Sequence, residues 1–312
     1  MPGDVGDPTE RDRDSPDPPT LRGLLAGLFA AVRSRPPAEL ALVALPLPAL
    51  LVGVSLLPGV EAWRLSLATE GVFESRWALW TAFASSFVHT DPAHLLDNVV
   101  NYWLLVAVAY PLSVVAGWRR RLLGSVATYL AVVPLVSAWA TIVALGGLTD
   151  APTAGFSDVN SALLGYLLAV WFAALTAESE RVRSEGSLGV DPRWSVVAVF
   201  ASLALAYLAP SGAGYFPPLP AVGSLFAVGA VLAAAALYAA VGPPRVAGLD
   251  LEPARELLYV TGASVALAGV IGSLVLVPFG SNVFAHLAGY VVGFAVPFAG
   301  VLADGGADRA GK

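Results

Sequence analysis

Seven stretches of this chain, near residues 37 to 60, 94 to 117, 122 to 147, 157 to 177, 220 to 241, 256 to 279 and 282 to 302, are apolar over about the 20 residues that a helix needs to cross a bilayer. An eighth, 194 to 209, is shorter. Runs of this length constrain the fold more than any other feature. In hydrocarbon every backbone N–H and C=O must be bonded inside the protein, which leaves only helices and closed barrels as spanning structures, and uninterrupted apolar runs are those of helices. With 57% hydrophobic and 13% charged residues, the chain has about half the charge of a typical water-soluble domain. The expectation is all-α: a polytopic membrane bundle of about eight transmembrane helices over 36–303, with no soluble domain.

The flanks read differently. Residues 1–20 carry six acids (Asp4, Asp7, Glu10, Asp12, Asp14, Asp17) and several prolines, a composition that cannot build a core, so a disordered tail is expected. The segment "LRGLLAGLFAAVRSR", residues 21–35, is too short to span and holds Arg22, Arg33 and Arg35, as an interfacial helix would. Residues 304–312 are expected to be a short C-terminal tail.

Cytoplasmic loops concentrate basic residues. With the N-terminus inside and eight crossings, fifteen of the seventeen basic residues fall on the inner side, and only Arg64 and Arg76 fall outside. Both termini are therefore expected in the cytoplasm. Sixteen arginines against a single lysine, Lys312, suit a GC-rich genome, and the acidic tail suits a salt-rich cytoplasm. Together they point to a prokaryotic cell membrane. With no cysteine, a disulfide framework and a thiolate metal site are both excluded. Lipid is an expected partner; nucleic acid is not.

Ionisable residues at membrane depth are costly and mark function by default. They are few, and they cluster. His94, Asp97, Asn98 and Asn101 open the second span, in "HTDPAHLLDNVVN"; Ser157, Asp158 and Asn160 open the fourth; His286 lies early in the last. In the expected orientation all three clusters sit in the outer half of the bilayer. His94, Asn98 and Asn101 are spaced i, i+4, i+7 on one helix face, and Asp97 is rotated about 100° from Asn98. In "GFSDVNSALLGY", Gly155 permits a tight turn, and Ser157 falls at a helix N-terminus, where free N–H groups favour developing negative charge. In "AHLAGYVVGF", His286 adjoins a Gly289-x-x-x-Gly293 face made for close helix approach. Each cluster alone could be structural glue: buried hydrogen bonds, a helix cap, a packed histidine. Three at one depth point to a site.

The spacing His89-x4-His94-x3-Asn98, then Gly155-x-Ser157 with Ala162 and Gly165-Tyr166, then His286-x-x-Gly289-x-x-x-Gly293, resembles the rhomboid family of intramembrane serine proteases. "WTAFASSFVHT", Trp80 to Thr90, is similar to the end of that family's first loop. All three histidines of the chain fall on motif positions. The resemblance covers about 80 to 300 and implies Ser157 as nucleophile and His286 as general base, without metal or cofactor. It implies an oxyanion hole made by His94, Asn98 and the Ser157 N–H, and His89 as a support of the first loop. Its implied substrates are transmembrane segments of other membrane proteins.

Two positions and the number of spans depart from the family. Asp158 replaces a glycine; its carboxylate suits the first helical turn and, turned toward water, would be a mild hindrance. Ser161 stands where an aromatic packs on the catalytic histidine. Three apolar segments, rather than one, separate the serine and histidine helices. Other readings remain: a zinc protease, disfavoured because His89 and His94 are i, i+5 with no glutamate between them; a catalytically inactive rhomboid-like protein that binds membrane clients; and a transporter, which would carry more intramembrane charge.

Overall fold

The computed structural model describes residues 20, 22, 35–182, 190–209, 219–244, 251–277 and 281–310. The acidic tail expected over 1–20 and the interfacial helix expected over 21–35 lie outside the described residues, except for Thr20, Arg22 and Arg35. Among the described residues every regular element is a helix, and a single antiparallel bridge joins Leu65 to Thr153.

Among the described residues, seven helices are long and apolar enough to cross a membrane. The first is interrupted: α1 (Pro37–Ala44) meets α2 (Pro46–Ser55) at Leu45. Pro46 and Pro48 lack the N–H groups that would bond the carbonyls one turn earlier. The Trp103 indole donates instead to the Ala44 carbonyl at 2.9 Å, and the Tyr102 hydroxyl donates to that of Val43. The loop that follows is not featureless. Ser75 caps a helix, α3 (Arg76–Ala84), accepting from Ala78 N–H at 3.0 Å, and leaves Trp77 and Trp80 exposed.

The next three spans are α4 (Pro92–Val115), α5 (Arg119–Leu145) and α6 (Ser157–Val182). The expected eighth span, 194–209, is a 14-residue helix, α7 (Ser195–Leu208), short of the length that crosses alone. It packs beside α8 (Pro220–Val241), in which only Gly223 is buried. α9 (Pro253–Val270) ends in a π-helical turn, Ile271–Val275. The last helix, α10 (Val283–Ala310), continues past residue 303, where a tail was expected to begin.

The core lies where α6 meets α10, α4 and α5, with Tyr129, Tyr166 and Tyr290 fully buried. At one end of the bundle three helices begin together: α4 behind Asp91, α6 at Ser157 and α10 behind Asn282. Charge gathers at the other end. Glu39 pairs with Arg119 across α1 and α5, Glu178 of α6 takes Arg181 and Arg255, and Asp304 takes Arg121 at 2.7 Å. The polar clusters of the sequence all belong to the first end.

Candidate active site

The site is assembled from three helix starts and the loop between α5 and α6. That loop is pinned from outside by the segment after α2: Leu65 and Thr153 exchange both backbone hydrogen bonds (3.0 and 2.9 Å), and Arg64 donates to Pro152 O at 3.0 Å. Further in, Gly155 N–H donates to Ser85 O at 3.0 Å, and Phe156 N–H donates to His89 Nε2 at 3.3 Å. The end of the loop is buried, with Phe156 wholly covered, so its non-helical backbone is bonded to protein as a membrane interior requires.

Gly155 is needed twice over. Its φ of +129° is open to glycine alone, and a Cβ there would stand 2.5 Å from Cε1 of His94. His89 helps to hold this loop through the bond it accepts from Phe156 N–H. It is buried and packs edge-on to His94 with ring centroids 5.1 Å apart. Burial, reinforced by His94, pushes the His89 imidazole down to about 4, which leaves Nε2 free to accept.

Ser157 opens α6, and its hydroxyl lies 2.8 Å from Nε2 of His286. Nδ1 of His286 lies 3.0 Å from the carbonyl oxygen of Ser273 in the π-helical turn. A carbonyl can only accept, so Nδ1 carries the proton and Nε2 is the basic nitrogen facing the serine. The approach of the two helices depends on glycine. A Cβ on Gly289 would meet the Asp158 carbonyl oxygen at 2.0 Å, one on Gly293 the Ala162 carbonyl oxygen at 2.0 Å, and one on Gly165 the Tyr290 carbonyl oxygen at 2.3 Å.

A cavity of about 940 Å³ opens over the pair, and His94, Asn98 and Asn101 of α4 line it together. Asn98 is buried and donates Nδ2 to its own helix at His94 O (3.0 Å), while its Oδ1 accepts from Asn160 Nδ2 at 3.2 Å. Asp97, rotated off that face, is exposed yet also lines the cavity. The residues expected as nucleophile, base and oxyanion donors thus lie around one cavity. Ser161 turns its hydroxyl back to Ser157 O at 2.8 Å. Among the described residues, no three His, Asp or Glu side chains come together as metal ligands.

Asp158 is a correction. Its carboxylate does not face water: it is buried and accepts from Ser86 Oγ at 2.7 Å, Ser137 Oγ at 2.6 Å and Val159 N–H at 2.7 Å. It fastens the start of α6 to α5 and to the end of the first loop. Nothing in the local pattern announces serines 72 and 21 residues away. Asn282, also missed, was findable. It stands just before an apolar helix as a capping residue does, accepts from Ala285 N–H at 3.2 Å and donates to Thr141 Oγ1 at 2.7 Å. The Ser273 carbonyl left no trace, being backbone. Comparison with models of known protein families, with curated proteins and with solved structures finds no match for this chain.

Proposed function

We propose that this chain is an intramembrane serine protease of the rhomboid type, cleaving peptide bonds in or near transmembrane segments of other membrane proteins. The observation that carries the reading is the relay from the Ser157 hydroxyl through His286 to the Ser273 carbonyl, 2.8 and 3.0 Å long, at the edge of a cavity among apolar helices. A serine hydroxyl becomes nucleophilic when a neighbouring imidazole takes its proton, and a base held by a third group has the required orientation. Ser157 Oγ attacks the scissile carbonyl carbon as its proton passes to Nε2 of His286. The C–N bond then breaks, the imidazolium gives its proton to the leaving amine, and water repeats the sequence to release the acyl group. The oxyanion would form beside the start of α6, in the cavity that His94 and Asn98 also line; donors supplied there by the Ser157 N–H, His94 and Asn98 would each contribute on the order of 3 kcal/mol.

The location of the site supports a substrate that is itself membranous. It lies near the N-terminal ends of three candidate spans, toward one face of the bundle, so a segment leaving the bilayer at that face could present an unwound peptide bond. Glu178 near the end of α6 and Arg255 at the start of α9 share one end of the bundle, so α7 and α8, packed side by side, would have to enter and leave the bilayer together. With that pair crossing, the arginine distribution favours the extracytoplasmic face for the site and places both termini in the cytoplasm.

Labelling with a serine-reactive fluorophosphonate in membranes tests the reading. Wild type is expected to label, Ser157→Ala not at all and His286→Ala very weakly, with no effect of metal chelators. Equal labelling of Ser157→Ala would overturn the assignment, and chelator-sensitive cleavage of a membrane substrate would transfer it to metal chemistry.

A further inference from the structure

We propose that Asn160 is a positioning residue of the oxyanion hole, holding the Asn98 amide with its N–H face toward the cavity. The inference rests on the serine-protease reading and assigns a role to a residue which that reading leaves unused. A primary amide is nearly symmetric in shape, so Asn98 fits its place either way round. One orientation offers an N–H to a developing oxyanion. The other offers an oxygen and repels it.

Two contacts select between them. Nδ2 of Asn98 donates to His94 O at 3.0 Å, which demands a donor on that side. On the other side Nδ2 of Asn160 lies 3.2 Å from Oδ1 of Asn98 and 3.0 Å from the Asn98 main-chain oxygen, and both of these accept. A flip of Asn98 would set N–H against N–H at Asn160 and oxygen against oxygen at His94. With the orientation fixed, one N–H of Asn98 is used by His94 and the other is left for the cavity that both asparagines line.

Stability alone does not account for an asparagine here. Asn160 is buried at 6% exposure and its Oδ1 has no hydrogen-bond partner, a desolvation penalty that an apolar side chain of similar size would not carry. What asparagine supplies and leucine cannot is the pair of N–H bonds given to Asn98.

Rates of fluorophosphonate labelling, measured on the full chain in detergent per folded molecule, test this. Asn160→Leu and the isosteric Asn160→Asp, which keeps the shape and removes the donor, should lower the labelling rate at saturating probe by about 10- to 100-fold, because an oxyanion donor removed outright lowers rates by about 100- to 1,000-fold. The probe concentration for half-maximal rate should stay unchanged. In an Asn98→Ala background the same Asn160→Leu change should have no further effect, since the residue acts through Asn98. An equal penalty in both backgrounds, a wild-type rate for Asn160→Leu, or loss of fold in both Asn160 variants would each overturn the proposal. Absence of labelling in wild type itself would remove the protease reading and this inference with it, whereas a labelled wild type with unaffected Asn160 variants removes the inference alone.

Discussion

A methyl group on Gly289 would stand 2.0 Å from the main-chain oxygen of Asp158, so α10 rests directly on the first turn of α6. His286 lies one helical turn before Gly289, and Ser157 immediately precedes Asp158. The same contact that joins the helices therefore sets the distance between His286 and Ser157, the proposed base and nucleophile.

From it follows the first expectation. Gly289→Ala must push the helices apart, and overpacking of this kind costs about 1–3 kcal/mol. The effect on chemistry should be larger than on stability, because misplacing reacting groups by about 1 Å can lower rates on the order of 100-fold. Fluorophosphonate labelling should fall by that order while much of the protein remains folded. Gly124→Ala is the control: a Cβ there meets nothing within 4 Å, and alanine in an exposed helix favours folding by up to about 1 kcal/mol. Undiminished labelling of Gly289→Ala would show that the contact does not set the geometry.

His89 gives a pH dependence. Its folded pKa is lowered to about 4 by burial, so the folded state binds fewer protons than the unfolded state, and stability rises with pH across the interval between the two values. The His89 contribution should be complete above the unfolded value of about 6.5 and be lost as pH falls toward 4. Thermal unfolding in detergent at stepped pH should show wild type losing stability over that window. His89→Gln, which keeps an acceptor for Phe156 N–H but does not titrate, should lose less. Parallel curves for the two proteins would remove His89 as the cause.

Orientation can be read with cysteines, since the chain has none of its own. Ala151 is exposed in the loop that leads into Ser157, and Glu180 is exposed at the far end of α6. If the site faces outward, Ala151→Cys should react with a membrane-impermeant maleimide on intact cells, and Glu180→Cys only after lysis. The opposite pattern would invert the proposed topology.

How much of this was legible follows from where each property resides. Span limits were close because apolar length is a local property: the expected runs at 220 to 241 and 282 to 302 became Pro220–Val241 and Val283–Asp304. Ser157 and His286 were legible because close approach and helix starts leave local marks, Gly155 before one and Gly289 and Gly293 after the other. Helix α3 in the first loop went unread, its only signal being Ser75 before a run too short and too tryptophan-rich to count as a span. Other features belong to no local window: the Ser273 carbonyl, which orients His286, and the serines that hold Asp158. Asp97 and Asp158 look alike in sequence, adjacent to site residues at the starts of two spans, yet one is exposed and the other buried. Only the neighbouring helices separate them.

Asp158 carries the last expectation, reversed by the structure. As a carboxylate turned to water, it would be replaceable by glycine with activity kept or raised. As a buried carboxyl group accepting from Ser86 and Ser137 at 2.7 and 2.6 Å, it joins three elements, and leaving a buried hydrogen-bonding group unpaired costs about 1–3 kcal/mol. Asp158→Gly removes both, leaving the buried Ser86 hydroxyl without its acceptor and Ser137 with only the Pro134 carbonyl at 3.1 Å. It should destabilise the fold by roughly 2–4 kcal/mol, within the range for a broken buried network, and lower labelling in step with the folded fraction. Asp158→Asn retains one oxygen of the same shape and should lose less. Ser86→Ala and Ser137→Ala should each weaken the wild type but have little effect in the Asp158→Gly background, since their shared partner is already gone. Melting temperatures of the single and double variants decide it: an Asp158→Gly protein as stable as wild type would return the carboxylate to the role of a bystander.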